Sequence, residues 1–249
     1  MSRLLLAIDA GNTRIKWGMH DSSLSGDKAW RHLGNVSNAD IVTLDEQWRT
    51  APTPERVVIS NVAGEPTRRA LEAALHRWPH GEHNVRWLNA SRAEFGISNL
   101  YERPEQLGSD RWAALIGAWQ RHCGESLVVN CGTATTVDRL SSDGVFRGGL
   151  IAPGVELMKR SLMEHTAKLG LYTGRFQAEP RNTADAIESG CLHAQAGMIE
   201  RMWRHAGTET RCFITGGAAE QMIPLLTETI PSCIHVEHLT LEGLVATTR

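Results

Sequence analysis

Asp9 opens the first stretch of this chain whose residue types and spacing could do chemistry. It ends the apolar run Leu4-Leu5-Leu6-Ala7-Ile8 and is followed by Ala10-Gly11-Asn12-Thr13-Arg14-Ile15-Lys16. A carboxylate at a strand end can hold Mg²⁺ directly or through water. Gly11 lets the backbone approach phosphate oxygens closely. Asn12, Thr13, Arg14 and the amides around them can donate to those oxygens, and Lys16 adds a point charge. Taken alone, the same residues also read as an Asp-Gly hairpin turn beside a solvated Lys. A second copy decides between the two: Leu127-Val128-Val129-Asn130-Cys131-Gly132-Thr133-Ala134-Thr135. Gly11 and Gly132 lie 121 positions apart in a chain of 249 residues, and Asp9 and Asn130 share that offset. A strand-turn-strand duplicated at about half the chain length points to two lobes gripping one nucleotide. Gly132 and Thr133 then become the second phosphate cradle.

Between the copies lies Tyr101-Glu102-Arg103-Pro104-Glu105-Gln106-Leu107-Gly108-Ser109-Asp110-Arg111. Asp110 falls at the start of a helix, with Ser109 placed as its N-cap. Helix amides and the macrodipole favour its ionised form. Such an Asp is a weak base, but phosphoryl transfer asks for little, because the attacking hydroxyl gives up its proton late. Arg111 could stabilise charge on the transferring group. A helix cap followed by a surface ion pair is the plainer reading. Tyr101 is either a ring for an apolar substrate to lie against or an ordinary buried Tyr. Thr215-Gly216-Gly217 follows a strand; paired glycines suit an adenine pocket or a simple strand-to-helix turn. A Walker-type Gly-x₄-Gly-Lys-Ser/Thr loop is absent from the sequence.

These residues need a scaffold. Three strands open the first half: Leu4–Asp9, Arg14–His20 and roughly residues 28–33. A helical segment near 40–48, a buried strand over Arg56–Ser60 and a helix over Glu65–Trp78 follow. A short strand at Val85–Leu88 and a helix at Ser109–His122 complete it, the helix with Trp112, Leu115, Ile116 and Trp119 on one face. The second half repeats the order, with strands at Leu127–Asn130, Thr135–Leu140 and Val145–Ile151. Helices follow from Val155 to Lys168 and from Thr183 to His205. A strand at Arg211–Thr215, a helix interrupted by Pro224, a strand near Ile234–Val236 and a terminal helical turn complete the chain. Both halves therefore go β-β-β-α and then alternate. A doubly wound dinucleotide fold would place a helix directly after its first strand. The expected class is α/β with duplicated actin-like ATPase (ribonuclease-H-like) lobes, over residues 1–122 and 123–249.

Composition narrows the function classes. The chain is 41% hydrophobic and 22% charged, with a net charge of −2, so it carries no electrostatic footprint for nucleic acid. No apolar run approaches the ~20 residues of a spanning helix, and the N-terminal run is too short for a signal peptide. Five scattered cysteines without a Cys-x-x-Cys pair read as reduced thiols in a cytoplasmic protein. The histidines show no ligand spacing; His76, His80 and His83 lie on a polar stretch.

The ordered motifs resemble the type III pantothenate kinases, also called the Bvg accessory factor family. They are Asp9-x-Gly11-Asn12-Thr13 with Lys16, Leu107-Gly108-x-Asp110-Arg111, Gly132–Thr136, Gly148–Gly154, and Asn182-Thr183 with Ala186-Ile187 and Gly190. The resemblance spans nearly the whole chain. It implies ATP-dependent phosphorylation of pantothenate, the entry step to coenzyme A, with Mg²⁺, an activating K⁺ or NH₄⁺ ion, and a homodimer. It implies Asp110 as the base and Asp9 at the metal and phosphates. Asn12, Thr13, Lys16, Gly132 and Thr133 would line the phosphates. Tyr101, Gly108, Ser109, Arg111 and Thr183 would contact pantothenate. The family pattern usually has Asp where this chain has Asn130, which implies a weakened monovalent-cation site, with Asp138 as a compensating carboxylate or a strand-end Asp facing water. Two other readings remain: a nucleotide-binding regulator of the same fold, and another actin-like phosphotransferase. The short chain, without insertions that build a sugar cleft, disfavours the latter.

Overall fold

The computed structural model describes residues 4–78, 84–165 and 173–248. Met1–Arg3, His80, His83 and the continuation of the fourth helix to Lys168 lie outside the described residues. The chain forms two compact units: Met1–Arg121 with His238–Arg249, and His122–Glu237.

The first unit begins with an antiparallel meander, β1 (Leu4–Ala10), β2 (Arg14–Asp21) and β3 (Trp30–Ser37). The third strand starts later than its sequence suggests. It is an edge strand with a mostly exposed pattern, and its extent follows pairing with β2 instead of hydrophobic alternation. A 3₁₀ turn over Asn38–Thr43 and the short α1 (Leu44–Gln47) lead to β4 (Arg56–Asn61), α2 (Glu65–Leu75) and β5 (Val85–Trp87). The sheet order is β3-β2-β1-β4-β5, with β1, β4 and β5 parallel. A hairpin of β6 (Ala93–Glu94) and β7 (Ile97–Asn99) turns at Phe95-Gly96, both at positive φ (56° and 82°), the geometry of a two-residue hairpin loop. Then comes α3 (Ser109–Arg121).

β1 is apolar on both faces because both are covered. Leu6, Ile8 and Ala10 join a core with Val57, Ile59, Trp17, Trp48, Leu71 and Trp78. The period of two sends Leu5, Ala7 and Asp9 to the opposite face, with Val58 and Ser60 of β4. Against that face pack α3 and the C-terminal α7 (Leu239–Ala246). The last twelve residues thus return to the first unit instead of closing the second. Helix α7 is apolar nearly all round, with Leu239, Leu241, Leu244 and Val245 buried, so it needs cover on more than one side. It crosses α3 at backbone contact: a Cβ on Gly243 would lie 1.8 Å from the Ala113 carbonyl oxygen, and one on Gly117 2.5 Å from that of Leu239. The Arg121 guanidinium pairs with both Glu242 carboxylate oxygens at 2.5 and 2.6 Å.

The second unit repeats the plan. β8 (Ser126–Cys131), β9 (Ala134–Leu140) and β10 (Val145–Pro153) form the meander. α4 (Val155–His165) and the long α5 (Thr183–Ala206) follow, then β11 (Arg211–Thr215), α6 (Ala219–Leu226) and β12 (Cys233–His235). The strands run in the order β12-β11-β8-β9-β10, with β8, β11 and β12 parallel and the meander antiparallel. Reversed, this is the connectivity of the first sheet, β10 matching β3 and β12 matching β5. Asp138 sits in mid-strand, paired with Val128, and is buried; it does not face water at a strand end. Among the described residues no helix is long and apolar enough to cross a membrane.

Candidate active site

The duplication puts the two loops in matched frames. In the first unit Asp9 is in register with Lys16 on β2 and with Ser60 on β4. In the second, Asn130 is in register with Thr136 on β9 and Thr215 on β11. Each bend closes through its glycine: Gly11 N–H donates to Arg14 O at 3.1 Å and Gly132 N–H to Ala134 O at 3.1 Å. The frames match; the charges do not. The first carries a carboxylate facing an ammonium, the second an amide facing hydroxyls.

Asp9 is half-buried, yet its Oδ1 is out of contact with solvent and accepts no hydrogen bond. Its carboxyl is pushed up to about 7, first by burial and second by the negative charge of Asp110; Lys16 and a hydrogen bond with Ser60 pull the other way. Asp110 belongs to the same face because α3 lays its N-terminus over the ends of β1 and β4. The Ser109 and Ser60 hydroxyls meet at 2.9 Å and both are buried. With Ser60 donating to Asp9, Ser109 donates to Ser60, and a hydroxyl chain joins α3 to Asp9.

This arrangement changes two expectations for Asp110 and Ser109. Ser109 does not cap α3; it is the first helical residue, its hydroxyl faces Ser60, and the Gly108 carbonyl accepts the first helical bond, from Trp112 N–H at 3.0 Å. Asp110 is also a stronger base than a helix-start Asp in water. Burial raises its pKa, outweighing the Arg111 amide that donates to Oδ1 at 2.8 Å and the Arg111 charge. Gly108 is needed for room: a Cβ there would sit 2.5 Å from Asp110 Oδ1.

The adjoining loop is tied down from behind. Arg92 donates to the carbonyls of Asn99, Tyr101 and Glu102 at 3.0, 3.0 and 3.2 Å. The buried Asn99 side chain donates to Pro104 O and accepts from Tyr101 N–H. Tyr101 is half-buried; its hydroxyl accepts from Arg111 Nη1 at 3.2 Å, and the buried Arg111 guanidinium lies 5.9 Å from its ring centre. The phenol and guanidinium therefore form one unit beside Asp110. Asn12, Thr13 and Arg14 are exposed at the first bend, and Arg14 donates to Asn35 Oδ1 at 2.7 Å.

In the second unit Gly132 and Thr133 are exposed on the bend. A Cβ on Gly154 would fall 2.2 Å from Gly132 O, so this glycine lets β10 and α4 approach the loop. Gly216 has φ +99°, and its Cβ would meet Cys131 O at 2.5 Å and Asn130 Oδ1 at 2.6 Å. Gly217 faces open space. Of the pair, Gly216 is required by the backbone, and Gly217 is not. Thr183 is exposed at the first turn of α5, where Asn182 caps by accepting from Asp185 N–H at 2.9 Å. Ser60, Asn38, Arg92 and Asn99 were not legible as site residues. Each acts through a pairing across strands or loops that no local motif announces.

A family model described as type III pantothenate kinase matches residues 5–205. The chain belongs to the type III pantothenate kinase family. The type III pantothenate kinase of Nitrosospira multiformis is 44% identical, covering 100% of this chain and 92% of the relative. That of Aromatoleum aromaticum is 46% identical, covering 99% and 98%. A solved structure described as a 2-dehydro-3-deoxygalactonokinase from Sinorhizobium meliloti matches over 98% of each chain, with a TM-score of 0.60 at 16% identity, a likeness of fold alone. The lobes have the actin-like ATPase and sugar-kinase fold. This pantothenate kinase phosphorylates pantothenate with ATP in coenzyme A biosynthesis, and as a kinase it uses a divalent metal.

Proposed function

We propose that Asp110 is the base for the pantothenate hydroxyl, that Asp9 faces the metal and phosphates, and that the product is 4′-phosphopantothenate. One observation carries this division of roles. The fold brings two carboxylates to one face of the first sheet, and one of them keeps a buried oxygen without a partner. Asp110 orients the hydroxyl and accepts its proton as that oxygen bonds to the γ-phosphorus and ADP leaves. Its raised pKa suits proton acceptance better than an ordinary carboxylate does. Arg111 and Tyr101 hold the rest of pantothenate, with Gly108, Ser109 and Thr183. Lys16, Gly11, Asn12, Thr13 and Arg14 take phosphate oxygens, as do Gly132 and Thr133; Gly216 and Gly217 serve the adenine.

The donor set of Asp9 fits Mg²⁺, a hard cation that prefers carboxylate oxygen. When bound, Mg²⁺ neutralises charge on the phosphates. Asp9 would hold it and Lys16 would balance the remaining charge. Asn130 offers an amide oxygen to K⁺ or NH₄⁺ where a carboxylate would bind more strongly. If Asn130→Asp leaves both K⁺ and Mg²⁺ dependence unchanged, that role is wrong. The family resemblance implies a homodimer, and the small residues Gly190, Ala194 and Gly197 of α5 are its candidate face. Light scattering on the wild type and Gly197→Arg reads it: a dimer that becomes a monomer. A cytoplasmic location fits an enzyme that draws on ATP.

Labelled ATP with pantothenate against a panel of sugars tests the reaction. Asp110→Ala should lose about 10²–10⁴ in turnover while still binding nucleotide. Near-normal turnover would remove Asp110 from the base role.

A further inference from the structure

A bend that presents its amides to an anion must turn its carbonyls away, and those carbonyls need donors. At the first loop a single residue supplies them. Asn38 Nδ2 donates to Gly11 O at 3.0 Å and to Asn12 O at 2.8 Å. The Asn38 backbone N–H donates to Thr13 O at 3.2 Å. Three consecutive carbonyls of the loop are held by one side chain and its own amide. The register explains how it gets there: Arg14 pairs with Ser37 across β2 and β3, so the next residue overlaps the bend. Ser37 then caps the 3₁₀ turn that begins at Asn38, accepting from Asp40 N–H at 3.2 Å.

The amide orientation follows from its partners. Both are carbonyls, so only the NH₂ end can face them. That leaves Asn38 Oδ1 buried and without a partner, a penalty that a residue serving only to fill space would not incur. A trans peptide is planar, with its N–H opposite its C=O. Fixing Gly11 O and Asn12 O toward Asn38 therefore aims the N–H groups of Asn12 and Thr13 the other way. Successive N–H groups aimed to one side of a bend make an anion-binding concavity.

We infer that Asn38 is a positioning residue for the phosphate loop, setting the amides of Asn12 and Thr13 for the ATP phosphates. The inference rests on the reading of Gly11–Thr13 as a phosphate-binding loop.

Three variants test it: Asn38→Leu, which keeps the shape without donor or charge; Asn38→Ala; and Gly11→Val, which crowds the bend directly. Affinity for a fluorescent ATP analogue is measured without pantothenate, together with both KM values. For Asn38→Leu and Asn38→Ala, the loss of two hydrogen bonds that order the bend should raise the Kd for the analogue and the KM for ATP about tenfold. The KM for pantothenate should stay within about twofold, since Tyr101 and Arg111 are held by other residues. Wild-type nucleotide affinity in Asn38→Leu, with weakened affinity in Gly11→Val, overturns the role of Asn38 alone. Unchanged affinity in Gly11→Val as well overturns the phosphate-loop reading and the inference with it. An equal rise in both KM values would mark a general structural defect and also defeats the proposal.

Discussion

Asp9→Asn should make the ligand-free protein more stable while disabling it. In the folded chain the Asp9 carboxyl is held near 7, against an ordinary 3.8, chiefly by burial and by the Asp110 charge. The sign follows from proton linkage. Between those two values the folded state binds the proton and the unfolded state does not, so stability falls as pH rises through this window and then levels off. At 1.36 kcal/mol per unit, ionised Asp9 costs the fold about 4 kcal/mol above the window. Asparagine removes the charge and keeps an oxygen for Ser60, but brings an NH₂ group toward the unpartnered position, which costs about 1–2 kcal/mol. The net gain is about 2–3 kcal/mol, or about 5–10 °C in Tm for a chain of this length. The assay is thermal unfolding of wild type and variant without nucleotide or divalent metal, near pH 8 and near pH 5. By the same linkage the charge term shrinks by more than half at the lower pH, because wild-type Asp9 is then protonated when folded. Added Mg²⁺ and ATP should reverse the order, stabilising wild type more than the variant. If Asp9→Asn gains nothing near pH 8, or gains equally at both pH values, the account of Asp9 as a strained, metal-seeking carboxylate is wrong.

Three further outcomes follow from particular contacts. Gly108→Ala places a methyl 2.5 Å from Asp110 Oδ1; displacing the proposed base should cost about 10- to 100-fold in kcat with little change in Tm, read by steady-state kinetics beside a melting curve. Ser60→Ala breaks the hydroxyl chain from Ser109 to Asp9; the acid limb of the rate profile should move to higher pH, because Asp9 loses a donor that favours its charged form, and an unmoved limb would dismiss that link. Gly243→Ala drives a methyl into the Ala113 carbonyl at 1.8 Å and should cost about 3 kcal/mol or more in denaturant unfolding.

The sequence alone determined the repeated β-β-β-α order, because strand and helix periods are local. It also marked both bends, since an apolar run ending in Asp or Asn and then Gly survives in one dimension. Asp9, Gly11, Gly132 and Asp110 were legible as candidates for that reason, and the motif order carried the family resemblance. Three things waited for tertiary structure. Helix α7 returns to the first unit because its nearly all-round apolar surface matches the close, glycine-lined approach to α3, and burial does not respect chain order. The Asp110 carboxyl is raised by burial, not lowered by its helix, because desolvation depends on what covers a carboxyl and outweighs the neighbouring amide. Asn38, Ser60 and Arg92 joined the candidate site only when pairing across strands and loops set their donors against another segment's acceptors. A hydrogen bond between residues 27 positions apart, such as Asn38 to Gly11, leaves no periodic trace in the sequence. It exists because the antiparallel pairing of β3 with β2 sets Ser37 opposite Arg14 and so brings Asn38 to the bend.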